Sequence, residues 1–481
     1  MWKLRRGENN KVRVKGKKKK KTEMGERQRK LHGIMICVPY QGHLALKLAS
    51  SGVVITFVHL EFLHRQTHHA NKTDVDLFSK AREVGLDIRF TTVTDPFPLE
   101  FDRDANFNEY WEAMVHDFPP LVDEFVGKIL ASDRNMLHFL VADTVRLHLA
   151  RRRRPQIQPR QRFSLDAVGL GVLLGISLGR LINEVDEEIK YVPVIESINT
   201  KDLIAYLRQS QCESVISRAS RLQFEQGKMA DFVLQNTVEE LEPRALSALN
   251  SYLPNYAIGP LNFSQNLPTN TVVTTSLWSK SDCTNWLGSK PPGSVLYVSF
   301  GSFVHTNLQV LEELAYGLLL SQVNFVWVIR QGILGDGATS VLSAGFQDAV
   351  KERGLIVGWC DQIETLSNPA IGGFLTHSGW KSTLESMWCG VPLICYPIGF
   401  DQPCSSKLVV CDWKIGIHLC ESGTLDRENV AHKIQSFMNG GDLERLKQNA
   451  GRVRQIMKNA LEIDGFDRFL KDLEAKIRAQ N

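Results

Sequence analysis

Apolar positions in this chain come in short unbroken runs separated by segments of helical length. In the first half the runs are Gly33 to Val38, Val53 to Val58 and Leu137 to Ala142. In the second half they are Ser294 to Ser302, Asn324 to Arg330, Leu355 to Val357, Ile371 to Thr376 and Val391 to Tyr396. Runs of this length, bounded by turn residues, predict strands buried on both faces. Their alternation with helical stretches such as Leu44 to Ser50 predicts an α/β fold with parallel sheets. Asp202 to Leu249 reads as mostly helical, with one strand at Ala230 to Leu234, and Asp442 to Ala479 reads as helix throughout. Residues 259–294, rich in Pro, Asn, Ser and Thr, read as a linker between two halves.

Polar residues concentrate where the runs stop. The first run is followed by Pro39-Tyr40-Gln41-Gly42-His43, which places His43 at a handover from strand to helix. Leu137 to Ala142 ends at Asp143, and the run beginning at Ser294 ends in Gly301-Ser302. In open α/β sheets ligands bind at that edge. Each residue taken alone also has a plain structural reading, His43 as a loop histidine and Asp143 as a helix cap.

The densest stretch is 359–402, WCDQIETLSNPAIGGFLTHSGWKSTLESMWCGVPLICYPIGFDQ. Its strand, turn, helix and strand put His377 beside the start of a helix opening at Gly379-Trp380. Unpaired N–H groups and the positive end of the helix dipole suit an anion there. Ser382 adds a hydroxyl, Glu385 can accept from sugar hydroxyls, and Trp359 offers a face for a nucleobase.

These residues resemble the signature box of plant UDP-sugar-dependent glycosyltransferases, matching it at Trp359, Gln362, Gly373, His377, Gly379, Trp380, Ser382, Glu385, Gly390, Pro392, Pro397, Asp401 and Gln402. The resemblance implies two facing Rossmann-like domains, the GT-B architecture, with the site between them. It implies transfer of a hexose, glucose by the final Gln, from a UDP-sugar to a hydroxyl of a small lipophilic acceptor, with inversion. His43 would be the general base and Asp143 its hydrogen-bonding partner. Trp359 would stack on uracil, with Cys360 beside it, and Gln362 and Glu385 would bond the ribose. Ser302 would face the diphosphate and sugar, His377, Ser382 and the helix start at Gly379-Trp380 would hold the diphosphate, replacing a metal, and Asp401 and Gln402 would grip the sugar; Lys381 would either pair with a phosphate or crowd the place of the family's Asn. No cofactor beyond the UDP-glucose substrate is implied.

The chain departs from the family pattern in four places. Lys381 stands where the family has Asn, and Asn368 where it has His. The segment from Tyr40 to the first helix is short. Residues 145–182 are Arg-, Gln- and Pro-rich where the family has an apolar helix and an aromatic loop, and they read as a stretch translated out of frame. Gly169, Gly171 and Gly175 within that tract mimic a dinucleotide fingerprint but follow no recognisable strand. A non-catalytic UDP-sugar-binding protein with a damaged acceptor half stays open as the alternative.

Composition narrows the rest. The chain has 481 residues, enough for two or three domains. Its 9 cysteines are scattered singly, which favours free thiols. His64, His68 and His69 have no further ligand nearby in sequence and read as a polar helix face; no metal site is expected. Residues 1–23 carry eight Lys and three Arg against two Glu, within a net charge of +4 for the whole chain. They read as a disordered basic tail upstream of a start at Met24, and nucleic acid is not an expected partner. The weakly polar run Ala167 to Gly179 is shorter than the roughly 20 residues a membrane helix needs. The expected organisation is therefore a tail (1–23), an acceptor domain (24–258), a linker (259–294), a UDP-sugar domain (295–455) and a returning C-terminal helix (456–481), in a cytoplasmic monomer.

Overall fold

The computed structural model describes residues 29–36, 42–71, 77–103, 105–143, 162–166, 188–189, 198–203, 214–215, 217–219, 230–263, 278–302, 304–334, 344–420, 425–461 and 465–480. The expectations for the basic tail, for Met24 and for most of 145–182 fall outside these residues.

Two parallel sheets carry the fold. The first contains β1 (Leu31–Ile36), β2 (Val54–Leu60), β3 (Ile88–Val93), β4 (Leu137–Asp143), β5 (Arg162–Asp166), β8 (Phe232–Gln235) and β9 (Asn255–Ala257). Their order is β3-β2-β1-β4-β5-β8-β9. The short pair β6 (Glu188–Ile189) and β7 (Ile198–Asn199) is antiparallel and stands apart. The second sheet contains β10 (Val295–Ser299), β11 (Asn324–Val328), β12 (Gly354–Val357), β13 (Ile371–Thr376), β14 (Leu393–Cys395) and β15 (Gly416–His418), in the order β12-β11-β10-β13-β14-β15. Both orders run outward in two directions from a central pair, which is the Rossmann-like arrangement. The switch points lie between β1 and β4 and between β10 and β13.

Three helices carry the argument below: α1 (Gly42–Ser50), α2 (Trp380–Cys389) and α3 (Gly465–Gln480). The crossover from β1 to β2 uses the 9 residues of α1 and a tight turn through Gly52. Leu44, Leu46 and Leu48 are buried against β1 and β2, so the shortened segment still closes a parallel pair registered from His32↔Val54 to Ile36↔Val58. Helix α3 lies far along the chain yet packs on the first sheet. Its Phe466, Phe469, Leu473 and Ile477 share one buried cluster with Met35, Phe139, Val141, Phe232 and Leu234.

Several elements differ from the sequence expectation. Strand β1 begins at Leu31, two residues early, because Leu31 already pairs with Leu137 across the sheet. Within 145–182, Arg162–Asp166 forms β5, which pairs with β4 on one side and β8 on the other. A strand therefore does precede Gly169, Gly171 and Gly175, although those glycines lie outside the described residues. Among the described residues the helical reading of Asp202 to Leu249 holds for 243–250, for 215 and 217–219, and for the 3-10 turn that ends at Asp202. The linker reading of 259–294 also changes in part. Cys283 and Leu287, on and beside the helix Thr284–Gly288, are buried in the core of the second sheet.

Candidate active site

The loop beyond β8 of the first sheet meets the start of α2 in the second half. Asn236, just beyond β8, accepts a 2.8 Å hydrogen bond through its main-chain oxygen from the Trp380 indole at the start of α2. A second indole, Trp413, donates to the Leu241 oxygen at 3.2 Å. The C-terminal edges of both sheets therefore border one cleft.

On the first-sheet side His43 stands half-buried in the first turn of α1. Burial, and after it the Lys381 ammonium across the cleft, hold its imidazole down at about 4. Asp143 closes β4, the strand parallel to β1, so topology brings it to the same edge as His43. The Asp143 side chain is not among those described.

On the other side, β10 ends at Ser299 and the chain turns through Gly301 with φ +73. A Cβ at Gly301 would sit 2.7 Å from Cε1 of His377. The glycine is required twice, for its left-handed backbone and for the room it leaves the ring. Ser302 follows, half-buried. Burial and then the Arg330 guanidinium hold His377 down at about 4. Its ring also hydrogen-bonds the Ser299 main chain, which acts the other way and fixes the ring beside the end of β10.

Helix α2 starts with Gly379 as its cap and no acidic residue in its first turn. Along it runs a chain of polar groups. The Gln362 amide donates to Glu385 Oε2 at 2.6 Å and to Ser382 Oγ at 3.1 Å, and Lys381 Nζ lies 4.0 Å from Glu385 Oε1. Tyr297 Oη donates to Gln362 Oε1 at 3.4 Å, which fixes the orientation of the amide. Asp401 accepts from the Trp380 N–H at 3.0 Å and from Ser405 Oγ at 3.3 Å. Its carboxyl is pushed up by burial. Gln402 is buried, and its Oε1 accepts from the N–H groups of Ile398 and Gly399 at 2.8 and 2.9 Å. That leaves the Gln402 NH2 as the group able to donate elsewhere.

The sequence-predicted residues Trp359, Gln362, His377, Gly379, Trp380, Lys381, Ser382, Glu385, Asp401 and Gln402 therefore gather around the start of α2, with His43 across the cleft. Cys360 does not share that orientation. Its thiol is buried, 3.6 Å from Tyr297 Oη and 3.5 Å from Thr365 Oγ1, so its side chain faces the core. Asn368, the other departure from the family pattern, accepts from Ala370 N at 3.0 Å and shapes the turn into β13.

Known proteins share this fold. The family model described as UDP-glucoronosyl and UDP-glucosyl transferase matches residues 274–467. The Arabidopsis thaliana protein UDP-glycosyltransferase 86A1 is 41% identical over 94% of this chain and 96% of its own length. The chain belongs to the plant UDP-glycosyltransferase family. A 7-deoxyloganetin glucosyltransferase of Catharanthus roseus is 31% identical over 93% of this chain and 97% of its own length. The crystal structure of Os79 from O. sativa in complex with UDP superposes with a TM-score of 0.76 at 26% identity, over 92% of this chain and 100% of that one. A UDP-glucose: anthocyanidin 3-O-glucosyltransferase in complex with UDP, at 22% identity and a TM-score of 0.78, shows the same fold. This plant UDP-glycosyltransferase therefore has the GT-B architecture.

Two residues beside the candidate site escaped the sequence reading. The ring of Trp278 lies 4.7 Å from that of Trp359, tilted by 32°. Its segment is held there by Ser281 N donating to Trp359 O at 2.8 Å and by Lys280 bridging Asp361 and Glu364, each at 3.0 Å. Arg330 is buried, donates to Val304 O at 2.7 Å and sits 5.8 Å from the Trp278 ring. A tryptophan inside a linker-like stretch was the available signal for the first. Nothing local marked Arg330, which ends an ordinary strand pattern.

Proposed function

We propose that this chain transfers glucose from UDP-glucose to a hydroxyl of a small lipophilic acceptor, with inversion and without a metal. The observation that carries the reading is the ordered set along one sheet edge. Trp359, then Gln362 and Glu385, then Ser382 and His377, then Asp401 and Gln402 follow the order base, ribose, diphosphate, sugar. The relatives named for glucosyl transfer and the neighbours solved with UDP support transfer from a UDP-sugar.

His43 takes the acceptor proton as the sugar carbon is attacked from the face opposite UDP, and single displacement inverts that carbon. Asp143, at the same sheet edge, holds the imidazole tautomer as the aspartate of a hydrolase triad does. The start of α2, with His377 beside it, and the Lys381 ammonium stabilise the departing diphosphate. Pinning Gln362 through Tyr297 keeps the ribose acceptors in place before the donor arrives.

The test is incubation of the purified chain with UDP-glucose and a panel of phenols and terpenols, with and without EDTA. The expected products are β-glucosides by proton NMR, formed at equal rates in both conditions. An α-glucoside would refute inversion, and a rate abolished by EDTA would refute metal independence. UDP-glucose binding with no transfer to any acceptor would make the chain a non-catalytic sugar-nucleotide binder.

A further inference from the structure

The end of the linker is fastened to the residues around Trp359. Ser281 N donates to the Trp359 oxygen at 2.8 Å, and Lys280 Nζ reaches Asp361 and Glu364 at 3.0 Å each. Asp361 in turn caps the helix Gln362–Leu366, accepting from Glu364 N at 3.0 Å. Just downstream, Cys283 and Leu287 are buried in the same core cluster that Trp359 packs against. Trp278 is thereby set over the Trp359 ring. Their centroids are 4.7 Å apart and the planes are inclined by 32°, so one ring lies over a face of the other and does not meet it edge-on. Trp278 also lies 5.8 Å from the Arg330 guanidinium, which donates to the Val304 oxygen just beyond Ser302.

These contacts differ in what they contribute. The Lys280 side chain is 51% exposed, and ion pairs in that setting add little to stability. What they do is fix the place of the segment. The stack is the contact with a chemical consequence. An unsupported indole has two faces and can turn about its side-chain bonds. Trp359 has one face covered and its main-chain oxygen held. A base therefore meets a single aromatic surface already in place, and less freedom is lost when it binds.

We propose that Trp278 is a positioning residue of the uridine site, acting on the base through Trp359: it closes one face of that indole and holds the other ready for uracil. The inference rests on the reading of Trp359 as the surface on which uracil stacks. The end of the linker is then a wall of the nucleotide site as well as a connection between two halves.

The test is titration calorimetry with UDP on the full chain, as wild type, Trp278→Ala, Trp278→Phe, Trp359→Ala and the double alanine variant. Trp278→Ala is expected to weaken UDP binding about fivefold, the scale of one aromatic pair. Trp278→Phe, which keeps a ring in the stack, is expected to stay within about twofold of wild type. Trp359→Ala is expected to lose about tenfold, the scale of one base–aromatic stack. The double variant is expected to bind as Trp359→Ala does, because a residue that works through another has nothing left to act upon. Unchanged affinity in Trp278→Ala overturns the proposal. Tighter binding also overturns it, by putting the Trp278 ring in the place of the base. Additive losses in the double variant overturn it as well, by making Trp278 a support of the fold or a contact in its own right. In all three cases the transferase reading stands. Full UDP affinity in Trp359→Ala, or no UDP binding by wild type, overturns the uracil assignment and the proposal together.

Discussion

The Trp380 indole N–H and the Asn236 main-chain oxygen, 2.8 Å apart, join the start of α2 to the loop beyond β8. This bond ties an edge of the second sheet to the first. Trp380→Phe keeps a ring in the buried pocket and removes the bond. Stability is expected to fall by about 1 kcal/mol, the net value of one hydrogen bond. UDP affinity by calorimetry should change little, whereas kcat/KM should fall severalfold because the two edges are held together less well. Equal losses in both would mean that Trp380 serves the donor alone.

Gln362, Ser382 and Glu385 form the network assigned to the ribose. Glu385→Ala removes the acceptor of the 2.6 Å bond and leaves the Gln362 amide without its anionic partner. UDP binding is expected to weaken by roughly 10–100-fold, the scale of a hydrogen bond to a charged group. Titration calorimetry with UDP alone measures this without reference to any acceptor.

Gly301→Ala tests the contact behind His377. The backbone there has φ +73, and the added carbon would stand 2.7 Å from the ring. A strained backbone of this kind costs about 1–3 kcal/mol. The melting temperature is expected to drop, and UDP affinity should drop with it because the ring must move. A variant that binds UDP normally would remove His377 from the diphosphate site.

Acid should destabilise the first sheet. His32 is fully buried, with Nε2 2.7 Å from Thr56 Oγ1 and Nδ1 3.0 Å from Nδ1 of His138 on the neighbouring strand. Burial, then His138, hold it down at about 4 from an ordinary 6.5. The unfolded chain therefore binds the proton first. Stability is full above about pH 6.5 and is lost as pH falls towards 4, by on the order of 3 kcal/mol. Urea denaturation between pH 4.5 and 7.5 should show this slope, and His32→Gln should flatten it.

The buried pair Arg103 and Asp95 braces the loop after β3. Two bonds of 2.9 Å join them, Arg103 also donates to the oxygens of Pro98 and Phe101, and its guanidinium lies 4.2 Å from the Phe62 ring. Asp95→Ala leaves a buried cation and is expected to cost about 3–5 kcal/mol. Chemical denaturation measures the loss directly.

Much of the fold was legible because parallel strands covered on both faces must be apolar throughout. Val295–Ser299 and Ile371–Thr376 are continuous buried runs, and they mark the second switch point directly. Arg162–Asp166 was not legible. Five residues with charged ends, inside an Arg- and Pro-rich tract, carry too few apolar positions to declare a strand, and the vacant place between β4 and β8 defines it. The site was legible in its membership and less so in its orientation. Cys360 adjoins Trp359 in sequence, yet successive positions of an extended chain point opposite ways, and its thiol faces the core. Trp278 is 81 positions from Trp359, and no local pattern announces a contact of that range.

The packing of α3 on the first sheet has a consequence for biosynthesis. Phe466, Phe469, Leu473 and Ile477 complete the apolar layer over strands formed from residues 31–235. A ribosome delivers those strands long before it delivers their cover. The second sheet can close as it emerges, whereas the first must wait with one oily face exposed. The nascent chain is thus most prone to aggregation and most dependent on chaperones just before residues 465–480 appear. A nonsense mutation upstream of 465 should therefore yield insoluble protein even though every residue assigned to the chemistry has been made.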